Sequence, residues 1–113
     1  MKEIKAIIQP FMLDKVVAGL KTIENLPGIT VSEVRGFGRT RAQSAPDAVV
    51  GDTVQYVKKS KLEVVVADDL AERVVTIIQQ HAHTGNLGDG KIFVYRVDEV
   101  VRIRTGERGK GAI

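Results

Sequence analysis

The 113-residue sequence has no cysteine. That excludes a disulfide framework, thiolate zinc sites and a thiol nucleophile, and it accords with a reducing cytoplasm. Tryptophan is missing too, and aromatics make up only 4% of the chain. A core therefore has to be assembled from Val, Ile, Leu and Ala. No apolar run approaches the ~20 residues of a membrane span. The opening stretch MKEIKAIIQPF carries Glu3 and no small-residue cleavage site, so it reads as a first strand rather than a signal peptide. A dominant charge is also lacking. The net charge is +3, the basic residues are spread out except near the C-terminus, and nucleic acid is not expected as a partner.

What is present suits one folded domain spanning 1–113. Hydrophobic residues make up 43% and charged residues 27%, which argues against disorder throughout. The length allows a single core without room for a second.

The apolar spacing sets the order of elements. Ile4, Ala6 and Ile8 alternate with Lys5 within residues 2–9, a half-buried strand that Pro10 ends. Leu13, Val16, Val17, Leu20 and Ile23 then form one helical stripe, closed by Pro27-Gly28. Ile29 to Val34 predicts a second strand and Lys61 to Val66 a third. Asp68-Asp69 is expected to cap a second helix carrying Leu70, Val74, Ile77, Ile78 and His81. Ile92 to Val97 predicts a fourth strand, with Val101 and Ile103 alternating with Arg102 and Arg104 in a short extension. The order β-α-β-β-α-β is the split βαβ, an α+β, ferredoxin-like sheet with both helices on one face. Apolar residues on both sides of the strands, Ile7 beside Ile8 and Val65 beside Val64, leave the other face needing a cover. Self-association supplies one.

One connection is too long for a hairpin. Residues 39–58 join two neighbouring strands that need only a short turn, and such loops are usually functional or disordered.

The stretch Thr84-Gly-Asn-Leu-Gly88-Asp89-Gly90-Lys91 raises the question of phosphate binding. It is not a P-loop, because Ile92 stands where a hydroxyl would meet magnesium and a strand rather than a helix follows. By itself it reads as a turn whose glycines supply positive φ. A second reading stays open: Lys91 with Arg102 and Arg104 near exposed amides would suit a polyphosphate. Catalysis finds less support. His81 and His83 are two apart and cannot share a helical face, so no metal site is expected there. No nucleophile-base set is legible, and Glu63, between Leu62 and Val64, is explained by a solvent-facing strand position.

The stretches AIIQPFMLDKV, TVSEVRGFGR, TGNLGDGKIFV and VVRIRTGE together resemble the P-II signal-transduction family, nitrogen-regulatory proteins. The resemblance runs from Met1 to Ile113. It implies a homotrimer, with ATP or ADP as effector in clefts between subunits and no catalytic activity. It also implies that the long segment, about 39–58, is the family's T-loop, which docks into a target protein such as a membrane transporter or a regulatory enzyme. Carried onto this chain, Gly36, Phe37, Gly38 and Arg39 would line the cleft at the base of the T-loop. Thr30, Glu63 and Val65 would sit by adenine and ribose with Ile8 nearby. Gly88, Asp89, Gly90 and Lys91 would hold phosphates, completed by Arg102 and Arg104 of the facing subunit in the C-terminal segment, about 100–113. Magnesium could accompany the phosphates.

The sequence departs from that pattern in three places. Thr40 stands where many members have the Gln that helps hold magnesium and 2-oxoglutarate, which counts against 2-oxoglutarate sensing, although Lys59 matches the lysine that pairs with its carboxylate. Asp52 stands near the loop tip where some members carry a uridylylated Tyr, and Tyr56 is not its equivalent. The stretch RAQSAPDAVVGDT shares little with the usual arm, and the tail ERGKGAI is more basic than usual. A divergent branch controlling a metal or bicarbonate transporter, recruited from the cytoplasm to the membrane, is therefore an alternative target assignment. A slow ATP phosphohydrolase is the alternative from another class, and it would require turnover above roughly 1 s⁻¹.

Overall fold

A computed structural model describes residues 1–37 and 56–113. Four strands form one antiparallel sheet: β1 (Lys2–Ile8), β2 (Thr30–Gly36), β3 (Val57–Val66) and β4 (Gly90–Arg96), in spatial order β2-β3-β1-β4. Two helices, α1 (Leu13–Leu20) and α2 (Asp68–Ala82), follow β1 and β3. This is the α+β, ferredoxin-like arrangement expected from the order of apolar patterns.

The alternation in β1 decides which face the helices cover. Ile4, Ala6 and Ile8 are buried and meet Leu62, Val64 and Val66 of β3 on the same side. Val16 and Leu20 of α1, together with Val74 and Ile78 of α2, close over them. Side chains of this size contribute about 1.5–3 kcal/mol each when removed from water. The helices approach closely because Gly19 faces His81: a Cβ on residue 19 would lie 2.9 Å from the imidazole. His81 is thus a packed helix-face residue, its Nδ1 within 2.8 Å of the Ile77 carbonyl.

Several boundaries differ from the sequence expectation, each for a local reason. α1 ends at Leu20, three residues before the apolar stripe does. The Thr22 hydroxyl donates to the Gly19 carbonyl at 2.7 Å, and Asn25 turns the chain at φ 63°. Ile23 remains in the core from outside the helix. The two aspartates do not cap α2: Ala67 holds the cap position, and Asp68 and Asp69 occupy the first turn. There they complement the helix dipole, and Asp68 also pairs with the Met1 amino group at 3.0 Å. β3 begins at Val57 rather than Lys61. The lysine-rich run KKSK hides its period, and pairing with β2, from Thr30↔Glu63 to Gly36↔Val57, holds it in the sheet.

The expected strand-like extension after β4 does not form. Residues 100–109 fold back on themselves through an isolated Val101↔Arg108 bridge. The Arg102 amide donates to the Glu107 carbonyl at 2.8 Å, and the Gly106 amide to that of Arg102 at 2.7 Å. Arg102 and Arg104 therefore do not share one strand face.

Candidate functional site

The glycine stretch folds as a turn that leads directly into β4. Gly85, Gly88 and Gly90 all have positive φ. Gly90 meets the stricter demand, since a Cβ there would lie 1.7 Å from the Ile7 carbonyl. Its glycine is explained by close packing on β1, before any ligand is invoked.

Asp89 organises the turn from inside. Its carboxylate accepts from the Thr84 hydroxyl, from the Thr84 amide at 2.7 Å and from the Gly85 amide at 2.9 Å. These hydrogen bonds, the Thr84 side chain first, hold its pKa below the ordinary aspartate value. An acidic group spent on three donors does not repel an anion as a bare carboxylate would.

The turn is tied to the base of the long loop. Lys59 of β3 donates from Nζ to the Gly88 carbonyl at 2.6 Å. Desolvation lowers the Lys59 pKa, with the Asp89 charge opposing it. At the loop's neck, Gly36 pairs with Val57, and the Phe37 and Tyr56 rings meet edge to face at 5.8 Å. Gly38, Arg39 and Thr40, with the rest of segment 38–55, lie outside the described residues.

Register places the remaining candidates. Ile7, Lys61 and Lys91 stand opposite one another on the sheet face away from the helices. Thr30 and Glu63 are direct cross-strand partners on that face, and Val65 follows two residues along β3. Ile8 requires a correction: it is 1% exposed and belongs to the helix-covered core. The β1 residue sharing a face with Lys91 is Ile7, which strict alternation from Ile4, Ala6 and Ile8 already implies. A cleft of about 290 Å³ does reach Ile8, but on the helix side, between Ile78, Ala82 and His83 and the turn. Asp89, Gly90 and Lys91 of the turn also line that cleft, whereas Lys59 and Lys61 belong to the opposite face of β3.

The same open face carries mixed chemistry further along. Lys5 lies over Phe93 and Tyr95, its Nζ 5.4 and 5.0 Å from their centroids. Lys61 approaches Glu63 at 3.6 Å. Partial burial, then the neighbouring Glu63, raises the Glu3 pKa above the ordinary glutamate value.

Arg102 and Arg104 are far from the glycine turn within one chain. β4 starts at the turn and runs to Arg96, which stands opposite Lys2, so the arm begins at the sheet's other end. Seven strand residues span about 20 Å. Arg102 is anchored there by Glu107, whose Oε1 accepts from Nη1 at 2.9 Å. Arg104 is exposed.

One chain therefore unites Lys59 with Gly88–Lys91, and Thr30 with Glu63, but its arm of Arg102 and Arg104 starts at the end of the sheet opposite the glycine turn. Ile7, Thr84 and Glu107 were not assigned a role in the site from sequence. Only Ile7 had a legible signal, its place in the alternation.

This fold, turn and arm are matched by the family model described as nitrogen regulatory protein P-II, over residues 1–107. The chain belongs to that family. It is 51% identical to a nitrogen regulatory protein P-II of Azospirillum brasilense and 50% identical to that of Rhodospirillum rubrum, each over all 113 residues and the whole of both chains. The crystal structure of Arabidopsis thaliana PII bound to citrate superposes with a TM-score of 0.79 at 40% identity, covering 99% of this chain and 91% of that one. This P-II chain is accordingly a signal-transduction protein of nitrogen regulation, and the family's members are regulators rather than enzymes. No helix among the described residues is long and apolar enough to cross a membrane. Those residues also contain no cluster of three or more acidic or histidine side chains arranged for a metal.

Proposed function

We propose that three copies of this chain assemble through their open sheet faces and bind ATP or ADP in the clefts between them. Gly88, Gly90 and Lys91 of one copy, at the base of the T-loop with Gly36 and Phe37, face the phosphates. Arg102 and Arg104 of the next copy complete the clamp. Thr30, Glu63 and Val65 supply the adenine and ribose wall, and Asp89 keeps the turn in shape. The observation that carries this reading is the separation of the two cationic groups at opposite ends of one sheet. A second copy is the simplest way to bring them together.

The T-loop is the output. Its root at Gly36↔Val57 and Lys59 connects directly to Gly88, so an anion that recruits Lys59 exchanges with the Gly88 carbonyl and alters the root. ATP and ADP switch the protein only by binding its loop states with different affinity. Thr40 in place of Gln favours nucleotide over 2-oxoglutarate as the signal. The target is a protein of the nitrogen-regulation type or of a divergent branch; the divergent segment 41–53 carries the alternative reading, a metal or bicarbonate transporter.

Calorimetry tests the clamp. Wild type should bind both nucleotides, and Lys91→Ala and Arg104→Ala should each weaken binding at least about tenfold, or ~1.4 kcal/mol. Unchanged affinity in both variants would remove the clamp.

A further inference from the structure

The C-terminal arm is built around one guanidinium. The backbone of residue 102 is bonded to that of residue 107 and to Gly106, and the Gly109 amide returns to the Val100 carbonyl at 2.9 Å. The side chains repeat that pairing. Nη1 of Arg102 donates to Glu107 Oε1 at 2.9 Å, while Nη2 faces the Gly111 and Ile113 carbonyl oxygens at 3.4 Å each. At most three of the five guanidinium N–H groups are used, and the side chain remains 38% exposed. Glu107 belongs to the same fold-back: its amide donates to the Thr105 hydroxyl at 3.2 Å, and its Oε2 lies 3.1 Å from where a Cβ on Gly111 would stand. Arg104, two residues along, is exposed in the same turn.

A free arginine loses much rotamer freedom when it grips a phosphate. An arginine already bonded to a carboxylate and to backbone oxygens of its own arm has given up part of that freedom in advance. From this geometry we infer that Glu107 is the positioning residue of the clamp. It holds Arg102 in one place with part of its guanidinium still exposed, so that the arm offers one oriented and one adaptable cation to an anionic ligand. This rests on the nucleotide reading above and adds a residue to it. Glu107 acts through Arg102 and does not itself touch the nucleotide. The Gln side chain keeps an acceptor oxygen at the same reach, so Glu107→Gln retains the positioning and Glu107→Ala removes it.

The test is a double-mutant cycle on the full chain, with ATP as probe and calorimetry as readout. Glu107→Ala should weaken ATP binding about two- to fivefold, the size expected of an exposed charged pair. Glu107→Gln should stay within about twofold of wild type. In an Arg102→Ala background Glu107→Ala should add nothing, which a general loosening of the arm would not reproduce. Circular dichroism and size-exclusion chromatography confirm that each variant keeps the fold and assembly of wild type. Tighter binding by Glu107→Ala would show that the carboxylate competes with phosphate and would overturn the inference. So would an unchanged affinity, or an equal loss in the Arg102→Ala background. Wild type that binds no ATP would overturn the nucleotide reading itself, a result separable from normal wild-type binding with a silent Glu107→Ala.

Discussion

The two faces of the sheet use the same four strands for different purposes. The helix-covered face is apolar and sealed, with Ile4, Ile8, Leu62 and Val66 at or below 1% exposure. The open face mixes Ile7, Val65, Phe93 and Tyr95 with Glu3, Lys5, Lys61, Glu63 and Lys91. The sealed face fixes the fold because it is almost wholly apolar, Ser60 being its one buried polar side chain among the described residues. The open face adds little to the fold of a single chain, and in this account it carries assembly and nucleotide binding.

That contrast is most sharply broken or upheld in the core. Leu62→Ala should destabilise by about 2–5 kcal/mol in urea titration. Val65→Ala, three residues on and facing the other way, should leave the fold of the chain near wild type while weakening self-association on dilution. Equal losses of fold stability at both sites would mean the faces are not functionally divided.

The next effect lies at the edge between the faces. Gly90→Ala places a side chain at φ 103° and against the Ile7 carbonyl. A loss of about 1–3 kcal/mol is expected from the backbone conformation alone, with further cost from the displaced strand. Chemical denaturation measures it, and a neutral result would mean that β1 and the turn can part without penalty.

The smallest effect separates two carboxylates by their titration. Asp89 has a lowered pKa, so its stabilising hydrogen bonds are intact above the ordinary aspartate value and are lost only as pH falls through the lower folded value. Glu3 on the open face has a raised pKa. Its contribution is therefore present below the ordinary glutamate value and fades as pH rises through the higher folded one. Carboxyl NMR titration should find Asp89 below and Glu3 above their ordinary values. The Thr84 and Gly85 amide signals should follow Asp89. Reversal of that order would remove the local explanation for both groups.

Much of this could be read before any coordinates. The strand and helix order followed from apolar spacing because the sealed face obeys period 2 in strands and 3.6 in helices. Boundaries failed where hydrogen bonding overrides that pattern, between strands in KKSK, held in β3 by its partner, and locally at the end of α1, where the Thr22 hydroxyl meets the Gly19 carbonyl. The turn's glycines were legible, but the reason for Gly90 was not, since it lies in the distant Ile7 carbonyl. Arg102 and Arg104 were legible as cations. Their fold-back and the Glu107 contact depend on hydrogen bonds that no periodicity encodes.

If the cationic halves of the site belong to different copies, mixed assembly of two defective chains should restore it. Lys91→Ala and Arg104→Ala chains, each weak in ATP binding alone, are unfolded together, refolded and titrated with ATP. If the halves come from neighbouring copies, about one quarter of the clefts in a random mixture receive both intact residues, and tight binding returns at that stoichiometry. If the mixture binds no better than its two components, Lys91 and Arg104 serve the same ligand within one chain or not at all, and the account fails.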